Sequence, residues 1–139
     1  MAVKTEKLRV RISADGGMAD ITGQVDETVK RSGLRGGTVT VFIPGATGSV
    51  STIEYEPGLL KDFPQAMERI APLNIDYKHH KTWGDDNGRS HVKATLMGPS
   101  LVVPFVDGKL MLGTWQQITV VNFDTRERDR EIILQIMGE

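Results

Sequence analysis

Apolar and polar residues alternate near the start of the chain. The apolar members of this pattern are Leu8, Val10 and Ile12. A period of two is typical of a strand with one buried face. The next apolar residues are spaced by four instead, at Ile21, Val25 and Val29. That spacing predicts an amphipathic helix over residues 20–32, capped by Asp20 and ended by Gly33.

The middle of the chain combines strand, loop and helix patterns. Residues 38–43 are rich in β-branched side chains and predict a buried strand, whereas the Gly- and Ser-rich residues 44–51 predict a loop. The apolar residues that follow have helical spacing, but Pro64 interrupts them, and proline is best tolerated in the first turn of a helix. We therefore expect a helical turn at 58–62 and a second helix over 63–71.

The last third of the chain has the pattern of antiparallel strands. Residues 91–97 alternate loosely, and the apolar run 100–106 is followed by Asp107-Gly108, a pair that favours a tight hairpin. Further strands are expected at 109–115, 116–123 and 131–137. Seven or eight strands with two or three short helices indicate a β-dominated α+β fold, an antiparallel β-sandwich, in one domain over residues 1–139.

Composition narrows the class of protein. Hydrophobic residues make up 39% and charged residues 25%, as in ordinary globular domains. The 17 basic and 18 acidic residues nearly balance, which argues against a general nucleic-acid or membrane-surface binder. The absence of cysteine excludes disulfides, thiolate zinc sites and cysteine nucleophiles. Without a long apolar run or a signal-peptide pattern, we expect a cytoplasmic protein.

All three histidines, His79, His80 and His91, lie in one short polar stretch. Imidazole and carboxylate groups are the usual ligands of zinc and other divalent ions where thiolates are absent. If this stretch is a strand, neighbouring side chains point to opposite faces, so only one of His79 and His80 shares a face with His91. The alternative is a surface hairpin whose histidines bind nothing.

A second candidate is the charged turn near the C-terminus. Three arginines, Arg126, Arg128 and Arg130, alternate there with acidic residues. Guanidinium groups suit phosphate or carboxylate oxygens. The alternative is a solvated turn that neutralises itself. Loop 44–51, which precedes Glu54, is a weaker candidate for anion binding through its backbone amides, since it lacks the lysine of a P-loop.

Four segments together resemble the YjbQ-like family. They are VFIPGATGSVSTIEYEPGLLKD, YKHHKTWGDDNGRSHVKATLMGPSLVVPF, DGKLMLGTWQQITVVNFDTRERDR and the closing MGE. The most specific pieces are LGTWQ at 112–116 and the Tyr77-x-His79 … Asn87-x-x-x-His91 arrangement. The resemblance covers nearly the whole chain from about residue 38. These proteins are often labelled secondary thiamine-phosphate synthases.

The resemblance implies a homotrimer and a polar pocket near the histidines that holds a divalent metal, zinc or magnesium, or an anion. It implies His79 and His91 as metal ligands. The residues expected to act in catalysis are His79, His91, Glu54 and Arg128. Those expected to bind a phosphorylated substrate are Asn87, Gln116 and Arg126. Many members have a histidine where this chain has Gly45 or Arg89, so two potential ligands are missing here.

Two functions follow from these expectations. The first is weak thiamine-phosphate synthase activity, which joins a pyrimidine diphosphate to a thiazole phosphate and displaces pyrophosphate. The second is a protein that binds a metal or a metabolite without turnover. In both, Trp115 is expected to be structural, because apolar strand residues surround it in the sequence.

Overall fold

The computed structural model describes residues 1–139, which form two antiparallel sheets and four helices. The strands are β1 (Ala2–Ile12), β2 (Gly17–Asp20), β3 (Gly36–Phe42), β4 (Gly48–Ile53), β5 (Ser100–Val106), β6 (Lys109–Leu110), β7 (Gln117–Asn122) and β8 (Arg128–Gly138). The helices are α1 (Thr22–Ser32), α2 (Leu59–Ile70), α3 (Lys78–Trp83) and α4 (Gly88–Met97). The predicted β-dominated α+β class is confirmed.

The core lies between the two sheets. One sheet has the strand order β1-β8-β3-β5-β6 and the other β2-β7-β4. Alternate residues of β8, at Ile132, Leu134 and Ile136, are fully buried and meet Ile118 and Val120 of β7 in one apolar cluster. Helix α1 contributes Ile21, Val25 and Val29 to this cluster. Burial of these apolar side chains holds the two sheets and α1 together.

Helices α2 and α4 cover the other face of the three-stranded sheet. Their side chains form a smaller cluster with the sheet, at Met67, Ala94, Val121 and Phe123. An ion pair joins the two helices, since Lys93 Nζ lies 2.9 Å from Glu68 Oε2. The Lys93 side chain is only 9% exposed. The helix layer therefore depends on a nearly buried charge as well as on apolar contacts.

Local sequence signals define the first helix and the hairpin. Helix α1 begins at Thr22 with Ile21 at the N-cap, so the predicted cap at Asp20 is wrong by one residue, although Asp20 Oδ1 accepts hydrogen bonds from the backbone N–H and the hydroxyl of Thr22. Gly33 ends α1 in the left-handed conformation at φ 72°, as expected. Asp107 and Gly108 also have positive φ, at 50° and 71°. These values are typical of the tight turn that joins β5 and β6.

Residues 91–97 belong to helix α4, so the strand expected there is wrong. The loose alternation misled because two of the apolar residues that carry it, Val92 and Leu96, are exposed. The helix instead buries Ser90, Lys93 and Ala94 against the sheet. A mostly polar buried face gives little hydrophobic periodicity.

Three other boundaries differ from those expected. Strand β4 begins at Gly48, inside the segment predicted to be loop, because Gly48–Ile53 pairs with β7. Helix α2 runs without a break through Pro64, which packs so closely on Gly16 that a Cβ at Gly16 would lie 3.1 Å from the proline ring. Strand β6 has only two residues, and the Trp115 side chain beyond it is 70% exposed rather than packed in the core.

The four helices are all too short and too polar to cross a bilayer.

Candidate functional site

His79 and His91 face each other across the junction of α3 and α4. Their ring centroids lie 4.5 Å apart, and the rings are tilted by 49°. His79 Nε2 lies 3.1 Å from both Asn87 Oδ1 and Asp85 Oδ1. Both oxygens accept hydrogen bonds, which assigns a proton to Nε2. The structure thus brings together three of the predicted site residues, and their function stays a prediction.

His80 lies apart from this pair. It lines a cleft of about 220 Å³ with Asp76 and Asp86 and contacts the backbone oxygen of Asp85. The separation of His80 from His91 agrees with the expectation, but the reason given for it is wrong. His79 and His80 point in different directions because they are consecutive on a helix, not on a strand.

The residues present do not fit a metal centre within one chain. No group of three or more histidine, aspartate or glutamate side chains is arranged to hold a metal ion. Because Nε2 of His79 donates its proton, it has no lone pair to offer a metal in this arrangement. Arg89 stands in α4 where the resemblance implies a histidine, and its guanidinium donates to Asp15 Oδ1 and to the Asp86 carbonyl. Metal ligation by His79 and His91 therefore stays a prediction.

The arginine turn between β7 and β8 is ordered by one carboxylate. Asp124 is buried, and its oxygens accept hydrogen bonds from Arg128 Nη1 at 2.8 Å and from the Thr125 N–H at 2.8 Å. Burial alone would raise the pKa of Asp124, but the Thr125 N–H and the charge of Arg128 outweigh it and hold that pKa below its usual value. The Arg128 side chain remains about one-third exposed. Arg126 is exposed, and its guanidinium makes no hydrogen bond within the chain.

Arg89 connects the histidine pair to this turn. Its Nη2 donates to Asp15 Oδ1 at 2.8 Å, and its Nη1 donates to the Asp86 carbonyl. The backbone N–H of Asp15 in turn donates to the carbonyl of Asp124. The start of α4 and the arginine turn therefore lie at the same end of the molecule. Arg89 therefore has a structural role here.

Glu54 and Gln116 lie at the opposite end of the three-stranded sheet. β4 pairs with β7 so that Gly48 faces Asn122 at the arginine end, while Ile53 faces Gln117. Five residue steps along a strand separate these ends by about 17 Å. Gln116 is engaged locally, with Oε1 accepting from the Gly113 N–H. Within one chain, neither predicted residue shares a site with the histidines.

Sequence reasoning placed Arg130 in the charged turn but missed the buried polar cluster that it forms with Thr47 and Asn122. Arg130 Nη2 donates to Thr47 Oγ1 at 2.8 Å and to Asn122 Oδ1 at 2.6 Å, and all three residues are buried. Burial, followed by the like charge of Arg128, lowers the pKa of Arg130. The signal was present in the sequence, because Arg130 occupies an inward position of β8 in line with Ile132.

Comparison with known proteins places the chain in a family. A family model described as "UPF0047 protein YjbQ-like" matches residues 6–139. A UPF0047 protein of Archaeoglobus fulgidus is 42% identical over 118 residues, which cover 85% of this chain and 89% of the relative. A UPF0047 protein of Methanothermobacter thermautotrophicus is 34% identical over 139 residues, which cover 100% of this chain and 95% of the relative.

Solved structures agree with these sequence matches. A hypothetical protein of Aeropyrum pernix is 32% identical with a TM-score of 0.91, and the match covers 98% of this chain and 99% of the other. A YbjQ-like protein of unknown function from Sulfolobus solfataricus is 31% identical with a TM-score of 0.88, and the match covers 99% and 100%. The chain therefore belongs to the YjbQ-like UPF0047 family.

Proposed function

We propose that the protein binds a small phosphorylated metabolite at the end of the molecule where the start of α4 meets the arginine turn. The observation that carries this proposal is the link from Arg89 through Asp15 to Asp124, which holds the imidazole pair and Arg128 at one end. Arg128 supplies a partly exposed guanidinium for phosphate oxygens. His79 and His91 supply ring nitrogens that donate or accept hydrogen bonds.

The nearest concrete reaction is slow thiamine-phosphate synthesis. A thiazole ring nitrogen attacks the methylene carbon of the pyrimidine diphosphate, a C–N bond forms, and the C–O bond to the diphosphate breaks. The bonding electron pair leaves with pyrophosphate, so the protein must stabilise negative charge on the leaving group. Arg128 is suited to that task, with Arg126 on the same turn. His79, His91 and Asn87 are assigned to bind and orient the substrate.

The rate of this reaction should be low. Arg128 is already paired with Asp124 at 2.8 Å, which reduces the positive charge available to a substrate. Each missing charge-stabilising contact costs on the order of 100-fold in rate. We therefore expect turnover well below about 1 per second, the lower end of the ordinary enzyme range.

Binding without turnover is the second candidate. The observation in its favour is the position of Glu54 and Gln116 about 17 Å from the arginine end of the sheet. Glu54 is the one carboxylate among the residues predicted to act in catalysis, and this separation keeps it away from the histidines. The histidines and Arg128 can bind a phosphorylated ligand, but without Glu54 the predicted catalytic residues lack a carboxylate to act as a general acid or base.

Self-assembly is part of the proposal, with a homotrimer as the expected form. The outer face of the five-stranded sheet carries several exposed apolar side chains, namely Val3, Phe42, Val102, Val106 and Met137. Cross-strand pairing places them on one face, since Val102 faces Thr40, and Thr38 faces Met137. Such a face on a small domain is typical of an interaction surface.

The test is an assay of purified protein with both thiamine precursors and magnesium. The variants are His91→Ala and Arg128→Ala, and Arg69→Gln is a control that removes an equal charge at an exposed position of α2. Slow turnover that both site variants abolish and the control preserves supports the proposed reaction. Activity unchanged in both variants contradicts it, and turnover of about 1 per second or faster refutes the expected low rate. Ligand binding without turnover supports the second candidate.

A further inference from the structure

We infer that the loop 44–47 and the guanidinium of Arg130 form a binding site for a phosphoryl group. This inference deepens the proposed function, on which it rests for the class of ligand. Arg130 and loop 44–51 are separate anion-binding candidates in the sequence, and the fold brings them together. The observation that carries it is a nearly buried arginine with unused hydrogen-bond donors, placed directly under a loop with unused backbone donors.

Arg130 is held in place by only part of its guanidinium. The residue is 5% exposed, and Nη2 makes both of its hydrogen bonds, to Thr47 and Asn122. Nε is fully buried and has no hydrogen-bond partner, and Nη1 donates to no group of the chain. A buried donor without an acceptor is destabilising, because it has lost its bonds to water. Fold stability alone does not explain an arginine at this inward position of β8.

The loop brings a second set of donors to the same place. Gly45, Ala46 and Thr47 lie outside any strand, and none of their backbone N–H groups donates a hydrogen bond within the chain. Gly45 has φ 110°, and a Cβ built there would lie 3.2 Å from Arg130 Nη1. Gly45 and Ala46 are exposed, whereas Thr47 is buried on the guanidinium. The glycine therefore leaves Nη1 open on the solvent side of the loop.

The charges favour a phosphoryl ligand over a neutral one. Two arginines, Arg128 and Arg130, face one carboxylate, Asp124, so the cluster keeps one positive charge. Asp124 is occupied by its own donors, the Thr125 N–H, Arg128 and Thr47 Oγ1. Consecutive backbone N–H groups beside a guanidinium make a concave donor set that suits the oxygens of a tetrahedral phosphate. A planar carboxylate uses fewer donors of such a set.

The experiment is a titration of ¹⁵N-labelled protein with inorganic phosphate at constant ionic strength, followed by NMR, with acetate as the carboxylate arm. We expect saturating shifts of the amides of Gly45, Ala46 and Thr47 with phosphate and weaker ones with acetate. Arg130→Lys keeps the charge but loses the planar fork, and should weaken phosphate binding by about tenfold or more. Gly45→Ala should weaken it as well by covering Nη1. Arg69→Gln should bind like the wild type.

The titration separates a phosphoryl site at loop 44–47 from the alternatives. Shifts that are absent, that do not saturate or that centre elsewhere overturn it, as does undiminished binding by Gly45→Ala. If Arg130→Lys does not fold, Gly45→Ala and the wild-type shifts still decide. Saturating shifts at this loop without thiamine-phosphate turnover contradict the proposed reaction but not this site. Turnover without phosphate shifts at this loop contradicts this site but not the proposed reaction.

Discussion

Replacement of Asp124 tests how the arginine turn is held. Its side chain is 7% exposed and pairs with Arg128. Asp124→Asn keeps the shape but removes the charge, so Arg128 and the buried Arg130 lose their counter-ion. Breaking a buried ion pair by removing one partner costs about 3–5 kcal/mol. Because Arg128 is partly exposed, we expect the loss of stability at the lower end of this range, about 3 kcal/mol.

The corresponding change in melting temperature follows from the size of the chain. A domain of 139 residues has an unfolding entropy of about 0.3 kcal/mol/K near its midpoint. A loss of about 3 kcal/mol should then lower the melting temperature by about 10 °C in calorimetry at pH 7. Asp129→Asn is the matched control, since this residue of the adjoining strand β8 pairs only with the exposed Arg9. Its effect should stay within about 0.5 kcal/mol.

The pH dependence gives the result that would refute the reasoning. The pKa of Asp124 is lower in the folded protein than its usual value, because the Thr125 hydrogen bond and Arg128 outweigh the effect of burial. A carboxyl with a lowered folded pKa stabilises fully above the unfolded value of about 3.9, and this contribution disappears as the pH falls through the folded value. The difference between wild type and Asp124→Asn should therefore be large at pH 7 and should close in acid. A difference at pH 7 no larger than that of the control, or one that persists in strong acid, contradicts the proposed role of Asp124.

Three further predictions concern the helix layer and the assembly. Glu68→Gln should cost about 1–3 kcal/mol in urea unfolding, because it leaves the nearly buried Lys93 ammonium without its carboxylate, and an effect as small as that of the exposed Glu127→Gln would contradict this. Arg89→Ala should cost about 2 kcal/mol in the same assay, because its guanidinium joins α4 to Asp15, and an unchanged midpoint would show that this link is dispensable. Sedimentation should give a mass of about 46 kDa, three times that of the 15.3 kDa chain, and Val102→Lys on the apolar sheet face should shift it towards the monomer. A monomeric wild type at micromolar concentration would contradict the proposed assembly.

The sequence by itself determined the elements whose signals are local. Strand β8 was predictable because its inward residues alternate strictly, and α1 because its apolar residues keep a spacing of four between Asp20 and Gly33. The Asp107-Gly108 hairpin was predictable because these residues adopt positive φ at low cost. The family was recognisable from short motifs that need no knowledge of packing.

Tertiary structure decided the features that depend on long-range contact. Helix α4 buries Ser90, Lys93 and Ala94, so its periodicity is not hydrophobic, and only the ion pair with α2 and the contact with the sheet define its inner face. Pairing with β7 placed Glu54 far from the arginine turn, although the resemblance implied that Glu54 and Arg128 act at one site. The donors of Arg130 could be counted only once Thr47, 83 residues away, was seen to occupy one of them. Hydrogen-bond satisfaction and register depend on which segments meet, and a one-dimensional pattern does not specify that.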